Sequence, residues 1–388
     1  ISHGKERMKY ASEFRDPVAA KGALAAIERV VGEIGATPEK PIRIMEVCGG
    51  HTHAIFRYGL DKLTPPALEF IHGPGCPVCV LPMSRVDDCL ELAERQNVIF
   101  TTFGDAMRVP GTKKSMLQAK AEGADIRTVY SPLDALELAR RNPDKEVVFF
   151  ALGFETTTPS TALCAQQAAA EELTNFSLFC NHITVPEPIK ALLEDPYMEL
   201  DGFVGPGHVS MVIGIEPYRF IARDYKKPIV VAGFEPLDLL QSVLMVLEQV
   251  RDGRADVENQ YARIVPDNGN AVSIAACADV YERRETFEWR GLGEIDKSGL
   301  KMREKYAAFD AERKFEIGYG RPRTKYEEPE GCECGAVMTG RMKPQQCPQF
   351  GTGCTPDMPL GALMVSSEGA CAAYYQYGGV RTQVESAE

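Results

Sequence analysis

The stretch that decides the fold lies at residues 69–83 and has the sequence EFIHGPGCPVCVLPM. An apolar, strand-like run enters it, and two glycines and two prolines then turn the chain. This pattern is typical of a glycine-rich turn at the carboxyl end of a strand, where α/β sheets bind their ligands. Cys76 and Cys79 lie in this turn with C-x-x-C spacing, where backbone N–H groups and a following helix would favour their thiolate forms.

A third thiol, Cys48, follows the preceding strand-like run in the same way, within the sequence EVCGGHTH at residues 46–53. Loops after neighbouring parallel strands share one edge of a sheet, so we expect Cys48, Cys76 and Cys79 to form a three-thiol pocket where the protein works. Three interpretations of the C-x-x-C pair stay open. It is a dithiol that cycles to a disulfide, a pair of soft metal ligands with Cys48 as a third, or two packed thiols in a tight turn.

The rest of the chain alternates short β-branched runs with charged segments of helical periodicity. The runs lie at residues 42–47, 68–71, 98–102 and 126–130, and again at 147–151, 177–180, 203–204 and 229–232. This alternation predicts the α/β class, with parallel, helix-covered sheets. Two short motifs recur, GPG at 73–75 and 205–207 and GFE at 153–155 and 233–235, which indicates two Rossmann-like domains of similar build.

We therefore predict three consecutive domains. Residues 8–140 form the first α/β domain, which carries the Cys48 and Cys76/Cys79 loops, and residues 141–255 form the second. Residues 256–388 form a C-terminal iron–sulfur domain, which a polar, Pro-containing linker at 320–332 divides.

Composition narrows the class of protein. The 388 residues carry a formal net charge of -12, which argues against nucleic-acid binding. Neither a secretion signal nor an apolar run long enough to cross a membrane is evident, so we expect a cytoplasmic protein without a membrane partner. In that reducing compartment, 12 cysteines indicate metal or redox chemistry rather than structural disulfides.

The C-terminal part concentrates thiols at Cys332, Cys334, Cys347, Cys354 and Cys371. Four thiolates would hold either a zinc ion or a [4Fe–4S] cluster. Zinc sites usually have two short C-x₂₋₄-C pairs, so the wide spacing here favours an iron–sulfur cluster over zinc. A disulfide knot is the third interpretation. Cys332 and Cys334 compete for one ligand position, because a C-x-C pair rarely binds one cluster with both thiols.

Polar residues after other strand-like runs are further candidates. His51 would hold Cys48 as a thiolate or accept a proton, although an ordinary capping histidine is an equal alternative for His51 and for the nearby His53. His208, after the second GPG turn, could face the same cleft, whereas we expect His72 to be structural. Asp105 and Glu155 would bind a cation, orient a histidine or cap a helix. Neither loop matches a nucleotide-binding motif.

Several longer motifs of the chain together resemble the HypD family of [NiFe]-hydrogenase maturation factors. They are EVCGGHTHAI (46–55), FIHGPGCPVC (70–79), TTFGDAMRVPG (101–111), LGFETTTPSTA (152–162), FVGPGHVSMVIG (203–214), VVAGFEPLDLL (230–240), EWRGLGEI (288–295) and CTPDMPLGALMVSSEGACAAYY (354–375). The resemblance covers nearly the whole chain beyond Met8.

The resemblance implies a specific chemistry. Family members carry a C-terminal [4Fe–4S] cluster and act with the small protein HypC and with HypE, the thiocyanate donor, to assemble an Fe(CN)₂CO unit. The iron would lie on Cys48, with Cys76 and Cys79 as a redox pair beside it. Thiolate suits such a soft iron, and a cluster feeding a dithiol would provide the two electrons that cyanide release requires. His51 would then manage protons at the iron.

One departure concerns Leu363, because some family members have a cysteine there that can pair with the one matching Cys334. That disulfide cannot form in this chain. Two other hypotheses remain: an iron–sulfur-dependent disulfide reductase, in which Cys48 has no metal role, and a zinc-stapled binding module without redox chemistry.

Overall fold

The computed structural model describes residues 12–318 and 329–378. Its strands are β1 (Ile42–Glu46), β2 (Leu68–His72), β3 (Val98–Thr102), β4 (Ile126–Thr128), β5 (Glu146–Gly153), β6 (Phe176–His182), β7 (Gly202–Pro206), β8 (Ile229–Ala232), β9 (Val257–Asn259), β10 (Tyr281–Arg283), β11 (Thr286–Trp289), β12 (Gly293–Asp296) and β13 (Leu300–Met302).

The helices alternate with these strands through most of the chain. They are α1 (Pro17–Ile34), α2 (Gly49–Arg57), α3 (Leu60–Leu63), α4 (Met83–Ala93), α5 (Met116–Ala121), α6 (Pro132–Arg141), α7 (Thr158–Ala170), α8 (Pro186–Leu193), α9 (Gly207–Ile213), α10 (Arg219–Tyr225), α11 (Pro236–Arg251), α12 (Ala271–Val280), α13 (Ala311–Lys314), α14 (Cys334–Met338) and α15 (Ala370–Tyr377). None of the helices in the described ranges is long and apolar enough to cross a membrane.

The chain forms two compact units, each assembled from separate segments. The first unit combines the residues up to Gly75 with Leu193–Gly269 and the residues from Ala373 onward, and the second combines Cys76–Leu192 with Asn270–Ala372. The predicted consecutive ranges 8–140, 141–255 and 256–388 stay a prediction. Residues 8–11 and 379–388 of those ranges, and 319–328 around the predicted linker, lie outside the described residues.

The first unit is built on a five-stranded parallel sheet with the order β2-β1-β7-β8-β9. Its core contains apolar residues of α1, of α11 and of the sheet, among them Val30, Ile44, Val204 and Val243. Helix α1 begins where the Asp16 side chain accepts the Val18 N–H at 2.8 Å. The helices thus cover a sheet in which the inner strands β7 and β8 are fully buried and carry no charged residue, as expected for a parallel sheet covered on both faces.

The second unit has a four-stranded parallel sheet with the order β4-β3-β5-β6. Alanines of α7 and apolar residues of α6 pack against β5 in its core, together with β13 and the segment that precedes α13. Two antiparallel pairs, β10–β13 and β11–β12, and the cysteine-rich segment complete this unit. The predicted α/β class with two similar parallel sheets is therefore confirmed.

The two sheets share one topological feature. In each, the strand that comes first in the chain lies between the second and the third, so β1 is flanked by β2 and β7, and β3 is flanked by β4 and β5. The chain changes direction across the sheet at such a point, and this leaves a crevice outside the carboxyl ends of the two central strands. The first unit places Cys48 after β1 and His208 after β7 at this crevice.

Candidate functional site

Cys48 lies at the start of α2, directly after β1. It is the N-cap residue, with an extended backbone (φ -147°, ψ 117°), and its side chain makes no capping hydrogen bond. Cys48 is buried, with 8% of its surface exposed. Because the helix amides present their positive ends here, the position favours a negatively charged sulfur or ligand.

The glycine turn after β2 packs against the Cys48 backbone. The Gly73 N–H donates to the Glu46 carbonyl at 2.9 Å, and the Gly49 N–H donates to the Gly75 carbonyl at 2.9 Å. A Cβ atom on Gly75 would collide with the backbone nitrogen and Cα of Cys48. The loops after β1 and β2 therefore meet, as expected for neighbouring parallel strands, and only glycine fits at the point of contact.

A disulfide joins Cys76 and Cys79, which open the second unit. Both are buried, and the Cys79 N–H points at the Cys76 sulfur at 3.3 Å. The Arg290 N–H holds the end of the turn through the Val80 carbonyl at 2.8 Å, and α4 begins only at Met83. The bond fits the first of the three interpretations, a pair that cycles between dithiol and disulfide, while the three-thiol pocket stays a prediction.

Two histidines of the first unit share one aromatic partner, Phe234. The ring centroid of Phe234 lies 4.7 Å from that of His51 and 3.8 Å from that of His208. Burial lowers the pKa of His51 to about 4, and the partial burial of the His208 ring also lowers the pKa of His208. Both imidazoles are therefore predominantly neutral near pH 7, and can accept a hydrogen bond or a proton.

The tautomer of His51 follows from its contacts. Its Nε2 lies 3.2 Å from the Ala232 carbonyl oxygen, which can only accept a hydrogen bond. Nε2 therefore carries the hydrogen and is the donor of this bond. Its Nδ1 is buried and has no hydrogen-bond partner among the described residues. A fully buried side chain thus keeps one lone pair available for a ligand or a proton.

Sequence reasoning missed two residues of this site, Phe234 and Glu46. Glu46 is fully buried, and its carboxylate accepts the Cys48 N–H at 2.9 Å, His72 Nδ1 at 2.8 Å and the Thr52 hydroxyl. The only sequence signal for Glu46 was its position near the end of the strand-like run, two residues before Cys48. Its contact with His72 supports the structural role expected of that histidine.

The acidic candidates of the second unit differ from each other. Asp105 is exposed, and its carboxylate accepts the adjacent Ala106 N–H at 2.9 Å, as in local capping. Glu155 is buried and accepts the Val185 N–H at 3.1 Å. Burial raises the pKa of Glu155 to about 7. The environment of Glu155 therefore holds its carboxyl near the point of titration at neutral pH.

The five C-terminal thiols line one pocket of the second unit, together with apolar residues; they are Cys332, Cys334, Cys347, Cys354 and Cys371. The sulfurs of Cys332 and Cys334 lie 3.3 Å apart, which agrees with their competition for one ligand position and leaves the choice open. The Leu360 N–H donates to the Cys354 sulfur at 3.3 Å, and a Cβ on Gly361 would contact the Cys332 and Cys334 sulfurs.

The number, softness and apolar surroundings of these thiols fit a [4Fe–4S] cluster. In the described part of the chain, no group of three or more His, Cys, Asp or Glu side chains is arranged to hold a metal ion. A cubane takes one thiolate at each corner, so its ligands need not converge on one point as those of a single ion do. The cluster and the tetrahedral zinc of the rival hypothesis therefore both stay predictions.

The remaining thiols are structural. Cys89, Cys164 and Cys180 are fully buried, and burial raises their pKa, to about 12 for Cys164 and Cys180. Burial also raises the pKa of Cys277, to about 11. They are small apolar residues at neutral pH.

Comparison with known proteins identifies the family. The HypD model, described as "Hydrogenase formation hypA family", matches residues 20–378. The chain belongs to the HypD family. It is 75% identical over 374 residues to "Hydrogenase maturation factor HypD" of Rhodobacter capsulatus, covering 96% of this chain and 99% of the relative. It is 55% identical over 370 residues to the protein of the same name from Escherichia coli (strain K12), covering 95% of this chain and 98% of the relative.

The HypD resemblance drawn from the motifs is thus confirmed at the level of the family. The structure brings His51 and His208 together around Phe234, sets the Gly75 turn against Cys48, and gathers the five C-terminal thiols. The roles assigned to these residues stay predictions.

Glu155 makes stability depend on pH. Its pKa is about 7 in the folded chain, against an ordinary value of 4.5, so the folded state binds the proton more tightly than the unfolded state does. The free energy of unfolding of the wild type should therefore fall between pH 5 and pH 8, by about 2.5 kcal/mol relative to Glu155→Gln. Denaturant unfolding at several pH values measures this difference.

Glu171→Gln is the matched control. Its carboxylate pairs with Arg140, and the hydrogen bond to that guanidinium holds the pKa of Glu171 at about 2, below the measured range. The difference between wild type and Glu171→Gln should stay constant from pH 5 to pH 8. A constant difference for Glu155→Gln as well would show that Glu155 ionises normally.

Proposed function

We propose that this chain is a cytoplasmic hydrogenase maturation factor that serves as scaffold and redox component in the assembly of the Fe(CN)₂CO unit. A small HypC-like chaperone and a HypE-like thiocyanate donor would be its partners. The observation that carries the proposal is Cys48, a thiol at the N-terminus of the helix that also carries His51, in a chain that belongs to the HypD family.

The iron unit is the cargo, and Cys48 would bind it. Iron carrying cyanide and carbon monoxide is a soft centre that thiolate suits. The helix N-terminus favours the negative charge of the thiolate and its ligands. The neutral His51 and His208 add no cation that would compete for the thiolate, and the Nδ1 lone pair of His51 can accept a hydrogen bond or proton from a protonated group at the site.

The Cys76/Cys79 pair would supply the electrons for cyanide release. A thiocyanate R–S–CN and the reduced dithiol give R–SH, cyanide, one proton and the Cys76–Cys79 disulfide. The bond between the sulfur and the cyanide carbon breaks, and this cleavage consumes two electrons. The two thiols supply these electrons as their S–S bond forms. The disulfide of this structure would correspond to the oxidised form of the pair.

The five-thiol pocket would hold the [4Fe–4S] cluster. Cys347, Cys354, Cys371 and one of Cys332 and Cys334 are its proposed ligands. When bound, such a cluster supplies electrons one at a time. The Leu360 N–H and the apolar lining would stabilise thiolate ligands and shield them from water.

The disulfide by itself also favours a second candidate, an iron–sulfur-dependent disulfide reductase without a metal role for Cys48. The two functions differ in what Cys48 does, so a substitution there distinguishes them.

Replacement of Cys48 by Ala should abolish hydrogenase maturation in a strain that lacks the native factor, because the iron unit loses its thiolate. The purified variant should keep the wild-type iron content and visible absorbance of the cluster. Cys89→Ala, which alters a buried core thiol, is the control and should mature hydrogenase normally. Maturation that survives in Cys48→Ala would favour the disulfide reductase.

Replacement of Cys354 by Ala should have the reverse first effect. The variant loses a cluster ligand, so the anaerobically purified protein should lack most of its iron and its brown absorbance, while Cys180→Ala retains both. Iron content that equals the wild type would refute Cys354 as a ligand. Zinc without sulfide in the wild type would instead indicate the zinc-stapled module.

A further inference from the structure

The carboxylate of Glu46 connects three elements of the first unit. It accepts the Cys48 N–H at 2.9 Å through Oε2, and His72 Nδ1, at the end of β2, at 2.8 Å through Oε1. The Thr52 hydroxyl, in α2, also donates to Oε1. Glu46 is 0% exposed, so these contacts replace its hydration completely.

Such a residue calls for an explanation beyond stability. Burial of a carboxylate costs free energy, which its hydrogen bonds offset but which an apolar residue at the end of the same strand would not incur. Glu46 ends strand β1, whose apolar residues Ile42 and Ile44 belong to the core. Glu46 differs from an apolar residue at this position because its carboxylate oxygen accepts a hydrogen bond from the Cys48 N–H.

The start of α2 shows what that oxygen does. Helix N-caps are usually Ser, Thr, Asp or Asn, whose side chains accept backbone N–H groups and are thereby turned back onto the helix. Cys48 occupies this position without a capping hydrogen bond from its side chain. The Glu46 carboxylate, which contacts both Cys48 and Thr52, joins this helix end to the strand instead.

The remaining backbone groups of Cys48 are fixed from other directions. Its carbonyl accepts the His51 N–H at 2.8 Å and the Thr52 N–H at 3.2 Å. On another side, Gly75 lies so close that a single added carbon atom would collide with the Cys48 backbone. The Glu46 oxygen completes this arrangement, because it is the acceptor for the one polar backbone group of Cys48 that the helix cannot satisfy.

We propose that Glu46 is a positioning residue for Cys48, which fixes the Cys48 amide and with it the backbone from which the thiol projects. The functional meaning of this inference rests on the proposed role of Cys48 as iron ligand. The positioning itself is a property of the chain alone and can be measured on the chain alone.

Three variants separate positioning from stability. Glu46→Met keeps the approximate length of the side chain and removes every acceptor. Glu46→Gln keeps one oxygen for the Cys48 N–H, because the Thr52 hydroxyl can accept an N–H of the new amide in return. Thr52→Val removes one contact of the carboxylate and leaves its contact with Cys48 in place.

Two measurements report on Cys48 directly. Hydrogen exchange of the Cys48 amide should become about tenfold faster in Glu46→Met, the fold-change expected for loss of one buried hydrogen bond to a charged group. Alkylation of Cys48, followed by mass spectrometry of its peptide, should accelerate by a similar factor. Glu46→Gln should restore both rates to within about threefold of the wild type, and Thr52→Val should leave both nearly unchanged.

The outcomes are decisive in either direction. Wild-type rates in Glu46→Met, or equal acceleration in Glu46→Met and Thr52→Val, would overturn the proposal, as would a Gln variant that behaves like the Met variant.

If the Met variant does not fold, hydrogen exchange of the wild-type protein supplies the test. Its Cys48 amide should exchange about tenfold more slowly than that of Gly50, which occupies the second helix position and has no intrahelical acceptor, and equal rates would overturn the proposal.

These results do not depend on the maturation assay. If Cys48→Ala still matures hydrogenase, the proposed function fails while the exchange and alkylation rates keep their meaning. If Cys48 is essential for maturation but Glu46→Met leaves the exchange and alkylation rates of Cys48 unchanged, the positioning inference fails while the proposed function stands.

Discussion

The close approach of two strand ends is the constraint on which the first unit depends. β1 and β2 are parallel neighbours, paired from Ile42↔Leu68 to Glu46↔His72. Beyond this pair the Glu46 carboxylate joins the two ends through His72, and the Gly75 turn touches the Cys48 backbone. A larger residue at position 75, or an apolar one at position 46, would change the place where Cys48 is presented.

The chemistry of the molecule is divided among three kinds of thiol environment. Cys48 lies at a helix N-terminus, Cys76 and Cys79 form a disulfide in a tight turn, and five other cysteines share an apolar pocket. Buried core cysteines such as Cys164 and Cys180 have strongly raised pKa values and stay protonated. Environment, rather than the number of cysteines, therefore distinguishes the thiols for which chemistry is proposed from those that stay protonated in the core.

Much of this was accessible from the sequence, because it depends on local patterns. The strand-like runs at 42–47 and 229–232 became β1 and β8, and the C-x-x-C and C-terminal cysteines pointed to redox and cluster chemistry. The assembly of each unit from distant segments was not accessible, since no local pattern records that β7 pairs with β1 rather than with β6. Glu46 and Phe234 were missed for the same reason, because their roles arise from partners far along the chain or on other elements.

The central claim is that this chain carries the Fe(CN)₂CO unit on Cys48. Its most direct test is the infrared spectrum of the anaerobically purified complex with a HypC-like partner. The account predicts bands from iron-bound cyanide and carbon monoxide in the wild type and their absence in a complex that contains Cys48→Ala. A wild-type sample that holds iron and a cluster but shows no such bands would contradict the account and favour a disulfide reductase.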